Sequence, residues 1–356
     1  MDEMAALQVH VVEPEEWHHS AQDGMRLKWQ QFTSRRDAFC SDPRWLFALS
    51  AGLGHKPYGL VITQAEQVVG VLPLVYMQTL LFGRFLVSLP YVNTAGVVSD
   101  DSQVTSKLIA AAVNLADTLD VRHLELRHET KAEHPLLTDA LSDKVHMRRS
   151  LPSTCDELWT SLKPKVRNQI RKGEKQSFTI HWGREERLEE FYVVFSENMR
   201  DLGTPVFSRQ LFKQILKQFS VEAEFCTVCH ERRPIAGALL MHAPGVTQVP
   251  SASSLRSFNS TNVNMLMYWH LLCRAIERGQ TQFDFGRSTI NSNTMHFKKQ
   301  WGAKPELALW QYYVRRGSAT AMRQDNHKYQ CLIQAWKRLP LWLSRTMGPW
   351  IIRGIP

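Results

Sequence analysis

The chain has 356 residues, 44% apolar and 22% charged. That suits two globular domains with real cores and excludes a disordered or low-complexity chain. Forty-three Lys and Arg against 34 Asp and Glu leave a net charge of +9, which fits either an anionic partner (a nucleotide-linked substrate, coenzyme A, transfer RNA, an acidic membrane surface) or a protein that is simply basic.

The N-terminus, "MDEMAALQVHVVEPEEW", is acidic and lacks the layout of a secretory signal, so a cytoplasmic location is expected. A helix is predicted over 43–52, with Pro43 at its start and Gly52-Leu53-Gly54 at its end. Strands follow at "YGLVITQ", "VVGVLPLVYM" and "FLVSLP". The stretch 70–92 is long enough to span a bilayer. Pro73, Gln78, Gly83-Arg84 and Pro90 interrupt it, so it reads as two buried strands joined by a turn. A polar loop then leads to a helix at 103–118 and the alternating strand "VRHLELRH".

The second half repeats this order. Helices are predicted at 155–175, 184–200 and 208–219, then strands at "EAEFCTVCHE", "RPIAGALLMHA" and "VTQVPSASS". The polar loop "LRSFNSTN" leads to a helix at 263–278, the strand "TQFDFG" and a last strand "ELALWQYYVR". "FLVSLPYVNTAG", helix, "VRHLELRH" thus matches "VTQVPSASSLRS", helix, "TQFDFGRS". The expected organisation is two copies of one α/β unit, 1–150 and 151–316, and a basic, aromatic helical tail, 317–356. The tail reads either as an interfacial helix on an anionic membrane or as a helix packed on the second domain, and Pro340 should break it.

Six scattered cysteines do not make a disulfide framework, and the lone pair Cys226 and Cys229 has no second metal-binding pair at zinc spacing. No metal site is expected. HExxH, GxSxG, a Walker loop and a dinucleotide fingerprint are all missing. "DFG" at 284–286 is not a kinase signature, because neither a glycine-rich phosphate loop nor an HRD loop accompanies it.

Three segments could carry chemistry. In "SLKPKVRNQIRKGEK", Pro164 marks a helix start, and Arg167 and Arg171 share a face suited to paired phosphates. The bland reading is a solvated basic face. In "VPSASSLRSFNSTNVNMLMYWHLL", Ser251, Ala252 and Ser253 leave room for a substrate, with Arg256 nearby; Thr261 or Asn262 caps the next helix, and Tyr268 and Trp269 either line a cleft or lie in the core. In "FDFGRSTINSNTMHFKKQWGA", alternation puts Phe283 and Phe285 on one face and Asp284 on the other. Asp284 is a candidate to orient or deprotonate an acceptor, or a structural carboxylate paired with Arg287 or capping a loop.

Together these segments resemble the FemAB-like acyltransferases, and more closely the subgroup associated with exopolysaccharide and PEP-CTERM protein-sorting loci. The specific motifs span about 160–303, and the topological match spans most of 1–316. The resemblance implies an α/β fold of two tandem GNAT-like domains, no metal, and acyl-CoA or aminoacyl-tRNA as donor. The acceptor it implies is an amine or hydroxyl of a cell-envelope saccharide or a nucleotide-linked precursor. It assigns Arg167 and Arg171 to the basic helix motif, and Asp284, Gly286, Arg287, Lys298, Lys299, Trp301 and Gly302 to the signature after the strand. On this reading Asp284 is the catalytic candidate; Arg167, Arg171, Ser251, Ser253, Arg256, Tyr268, Arg287, Lys298 and Trp301 contact substrate. Two departures stand out. "RSFNSTNVN" replaces the usual coenzyme A loop, and the coiled-coil arm of some Fem ligases is missing. The alternative function is a non-catalytic scaffold that holds polysaccharide or lipid-linked intermediates, and for either function the tail offers peripheral contact with the inner membrane.

Overall fold

The structure is a computed structural model that describes residues 6–18, 23–79, 82–318 and 327–355. Two compact units divide it: one takes 1–142, 307–326 and 353–356, the other 143–306 and 327–352. Part of the expected tail, 319–326, lies outside the described residues.

Unit 1 begins with β1 (Gln8–Val12), α1 (Asp23–Ser34) and α2 (Arg44–Leu53). Pro43 and Gly54 bracket α2, and Gly54 takes φ +73° while its N–H returns to Ser50 O, the left-handed stop that glycine accommodates best. Then come β2 (Lys56–Gln64), β3 (Gln67–Thr79), β4 (Gly83–Val87), the short β5 (Val98–Ser99), α3 (Ser102–Thr118) and β6 (His123–His128). The apolar run at 70–92 is therefore β3 and β4, paired antiparallel. Asp101 caps α3 by accepting from Gln103 N and Val104 N. Val104, Leu108, Ile109 and Ala112 of α3 pack on Leu60, Leu72, Leu74 and Leu124.

Unit 2 contains β7 (Asp139–Ser150), α4 (Cys155–Ser161), α5 (Pro164–Glu174), β8 (Phe178–Gly183), α6 (Leu188–Leu202), α7 (Arg209–Gln218), β9 (Ala223–His230), β10 (Arg233–Ala243), β11 (Val246–Ser254), α8 (Val263–Glu277), β12 (Gln282–Thr289) and α9 (Asn293–Gln300). The last elements are β13 (Lys304–Val314), α10 (His327–Lys337) and α11 (Leu341–Ile352). Side chains alternate across β9. Thr227 donates to Glu190 of α6, and Glu224 is bound by Arg274 of α8, so these helices cover opposite faces of the sheet.

The two sheets share a topology. Unit 1 runs β1-β2-β3-β4-β6-β13, and unit 2 runs β8-β9-β10-β11-β12-β7. In each, an antiparallel meander meets one parallel pair, β4/β6 or β11/β12, whose crossover helix is α3 or α8. The final antiparallel strand lies out of chain order in each: β13 follows the other strands of both sheets, and β7 precedes the other strands of its own.

Several elements differ from expectation. The helix predicted over 155–175 is two, α4 and α5, because Pro164 can stand only in a first turn. Strands β7 and β8 and helix α9 carry too little apolar periodicity to be read in advance. Pro340 separates α10 from α11. Helix α11 packs on unit 2: Arg345 donates to Ser196 Oγ at 2.8 Å, and Gly348 lies against Val206. No helix among the described residues is long and apolar enough to cross a membrane.

Candidate functional site

The site is built where the sheet of unit 2 splits. The parallel ladder runs Val246↔Gln282, Thr247↔Phe283, Gln248↔Asp284, and no parallel pair follows among the described residues. Beyond it β11 continues along β10 to Ser254, and β12 continues along β7. The edge of β11 that faced β12 thus loses its partner just where Ser251, Ala252, Ser253 and Ser254 begin.

A bulge reshapes β12 at the same place. Its register on β7 jumps from Asp284↔Arg148 to Arg287↔His146. Gly286, at φ +77°, turns the strand in a conformation that side chains disfavour. Asp284 is 4% exposed. Its Oδ1 accepts from Gly286 N at 2.7 Å, and its Oδ2 from Arg148 Nε at 3.1 Å. Arg148 also donates Nη1 to Glu306 at 2.8 Å. From α9, Lys298 reaches back and donates Nζ to Gly286 O at 3.0 Å and to Arg287 O at 2.9 Å. Burial lowers its ammonium to about 8, with Asp284 pulling the other way.

The apolar side of β12 is aromatic. Phe283 and Phe285 join the core under α8, and Tyr268 stacks on Phe285 with centroids 5.7 Å apart. Tyr268 also meets Phe297 and Trp301, and burial pushes its hydroxyl up to about 12.

The other named residues sit on neighbouring elements. Ser253 is buried and its Oγ accepts from Asn198 of α6 at 3.0 Å, while Arg256 donates to Asp201 O at 2.9 Å. Asn262 is the N-cap of α8 but takes φ +60° and makes no side-chain cap bond. Helix α5 presses on α8 through Gly173, where a Cβ would stand 2.9 Å from Leu266 Cβ. Its Val166 and Ile170 are buried; Arg171 is exposed with its guanidinium 5.2 Å from the Trp159 ring, and Arg167 is half-buried. The structure therefore gathers Asp284, Gly286, Lys298, the Arg287 carbonyl, Tyr268 and Trp301 around one bulge. Arg167, Arg171 and Arg256 are not bonded to it. Sequence reasoning missed Arg148, which binds Asp284, and Glu306, which shares that arginine; the only trace was the paired arginines before "SLPST".

Aligning the two units at their last parallel pair, Val87↔Glu125 and Gln248↔Asp284, sets Glu125 against Asp284 and Arg127 against Gly286. In unit 1 the corresponding gap is filled. Arg127 donates to Glu125 at 2.7 Å and to Val92 O at 2.8 Å, lies 3.9 Å over the Trp310 ring, and accepts Ala95 N at its carbonyl. In unit 2 the equivalent position has no side chain at all.

Among the described residues, no group of His, Cys, Asp or Glu could hold a metal. Cys226 and Cys229 are buried, and burial raises both thiols.

Residues 161–299, most of unit 2, match the acetyltransferase (GNAT) domain. The whole chain has the fold of tandem GNAT proteins. The structure of FemX is similar over 87% of this chain and 98% of its own, with a TM-score of 0.62 at 15% identity. A tandem GNAT protein from the clavulanic acid biosynthesis pathway matches over 87% and 100%, with a TM-score of 0.54 at 12% identity. The C-terminal domain of a putative lysylphosphatidylglycerol synthetase from Agrobacterium fabrum matches over 85% and 95%, also at 0.54 and 12%. No curated protein sequence matches the chain.

Proposed function

We propose that the chain is an acyl- or aminoacyltransferase whose transfer site is the strand split of unit 2. The acceptor is an amine or hydroxyl of a cell-envelope saccharide or its nucleotide-linked precursor, as in exopolysaccharide or cell-wall biosynthesis, and the donor is acyl-CoA or aminoacyl-tRNA. The observation that carries this reading is the contrast between the units: one topology twice, with the gap filled by Arg127 in unit 1 and left beside Gly286 and a run of small residues in unit 2. Backbone N–H groups along 251–254 suit a developing oxyanion. Arg167, Arg171, Arg256 and Arg287 supply charge for anionic parts of donor or acceptor.

Both Asp284 oxygens are engaged by protein donors, which favours a carboxylate that orients the bulge and the acceptor over one that takes the proton. The neutral form of Lys298 can take it, since burial brings that amine to about 8.

The test is transfer of label from acetyl-CoA, longer acyl-CoA and charged transfer RNA to UDP-linked sugars and muropeptides. Asp284→Asn should lower turnover by about a hundredfold while circular dichroism shows the same fold. Turnover unchanged in Asp284→Asn removes the split from the mechanism. Ligand binding without turnover in the unaltered protein would favour the scaffold reading, which the replaced coenzyme A loop supports.

The tail belongs to the same reading. Trp342 and Trp350 of α11 are 68% and 67% exposed, while Ser344, Gly348 and Ile352 face inward. A helix anchored on one side and aromatic on the other suits peripheral contact with an anionic membrane from the cytoplasm. Sedimentation with anionic vesicles that is equal for the protein and for Trp342→Ser/Trp350→Ser argues against it.

A further inference from the structure

Unit 2 holds a basic cavity that adjoins the strand split through Arg148, which binds both Asp284 and Glu306. Its volume is about 320 Å³, within the range of small-ligand sites. Arg148, Arg149, Lys163, Lys299 and Lys304 line it, against one carboxylate, Glu306. The end of β7, the α4–α5 junction and the turn after α9 meet there. The cavity lies beside Ser150 and Gln282, which pair at the start of β12. The split opens past Asp284, two residues further along β12, and Arg148, opposite Asp284, stands between the two spaces.

The charge in this cavity is not neutralised from within. Glu306 is already bound by Arg148. Among the described residues no carboxylate pairs with Arg149, Lys163, Lys299 or Lys304. Arg149 is held rigidly instead: one nitrogen donates to Trp301 O, the other to Ser161 Oγ. Gly302, at φ +82°, passes close beneath it, and a Cβ there would stand 3.2 Å from Nη1. The guanidinium is half-buried and fixed by neutral acceptors, and three mobile ammoniums surround the same space. Like charges so gathered repel one another unless an anion sits among them. A fixed guanidinium with flexible ammoniums around it matches the oxygens of a phosphate group.

We propose that this cavity, which adjoins the strand split at Arg148, binds the phosphate or diphosphate group of a small-molecule ligand. Its test contains no turnover, so it stands or falls separately from the transferase reading.

Titration calorimetry of the full chain with inorganic pyrophosphate, at ionic strength held constant with sodium chloride, should show saturable single-site binding. The combined variant Lys163→Gln/Lys299→Gln/Lys304→Gln alters only exposed side chains and should weaken it by about tenfold or more. Lys165→Gln, exposed on α5 but outside the cavity, should leave it within about twofold. Uridine diphosphate and coenzyme A are run in parallel, and whichever affinity falls with that of pyrophosphate identifies the source of the phosphate. The proposal is overturned by undetectable pyrophosphate binding, by undiminished binding in the combined variant, or by an equal loss in Lys165→Gln, which would mean diffuse attraction to a basic surface.

Discussion

Lys298 ties the proposed transfer site to a measurable free energy. It is 8% exposed, and its pKa falls from 10.5 to about 8, chiefly through burial, with Asp284 opposing. The unfolded chain therefore holds a proton on this amine over a pH range in which the folded protein has released it. Stability must rise with pH as the folded group titrates near 8, and go on rising until the unfolded one does near 10.5. The full shift corresponds to about 3 kcal/mol at 1.36 kcal/mol per unit, of which about 2 kcal/mol should appear between pH 8 and 10. Lys298→Met keeps the length of the side chain and removes the titration. Its loss of the bonds to Gly286 O and Arg287 O lowers stability by an amount that does not vary over this range. The assay is urea unfolding of both proteins at pH 7, 8, 9 and 10, taking the difference so that other titrating groups cancel. The unaltered protein should gain about 2 kcal/mol on the variant between pH 8 and 10. A difference flat to within about 0.5 kcal/mol, or one that falls with pH, would refute the buried, depressed amine and with it the proton-accepting role.

The acid side is governed by another buried group. Burial alone would raise Glu224, but hydrogen bonds from His242 at 2.8 Å and Arg274 at 2.9 Å bring it down to about 2. Its contribution is present above the ordinary carboxylate range and lost as pH falls toward 2, so the unaltered protein should lose about 3 kcal/mol relative to Glu224→Gln between pH 5 and 2; parallel acid unfolding curves would contradict this. Gly173→Val should lower stability by about 1–3 kcal/mol, since its Cβ would meet Leu266 Cβ at 2.9 Å and the Asn262 carbonyl at 3.3 Å; an unchanged melting temperature would mean that α5 does not press on α8 as described. Arg127→Met should cost about 3–5 kcal/mol by leaving buried Glu125 with Tyr312 as its remaining bonded side chain, and a loss below about 1 kcal/mol would show that the filled gap of unit 1 is not held by that pair.

What could be read in the sequence was local. Pro164, Gly54 and the apolar spacing of 102–118 each determine backbone conformation within a few residues, and the elements they imply are present. Helix α9 buries only Met295 and Lys298 of its eight residues, which leaves no apolar stripe to detect in the sequence. The sequence offers Arg287, three residues away, as the partner of Asp284; the partner shown is Arg148, brought opposite by the first strand of the unit. A pairing 136 residues apart leaves no periodic trace.

The repeat shows the same limit from the other side. "HLELR" and "QFDFG" could be matched by eye as strands, yet their difference at one position is what separates the two units. An arginine at 127 has length enough to fill the gap beside its own acidic neighbour and to bind two backbone carbonyls there. A glycine at 286 fills nothing and lets the strand bulge, so its acidic neighbour must be satisfied by Arg148 and the glycine N–H. The two units thus differ at the corresponding strand position by the volume of a single side chain. The variant Gly286→Arg would test this directly: it meets φ +77°, where a side chain costs about 1–2 kcal/mol, and it should abolish transfer while leaving pyrophosphate binding at the adjoining basic cavity intact, since none of the cavity's own cations is altered. Loss of both together, in a protein that still folds, would mean that the split and the cavity are one site.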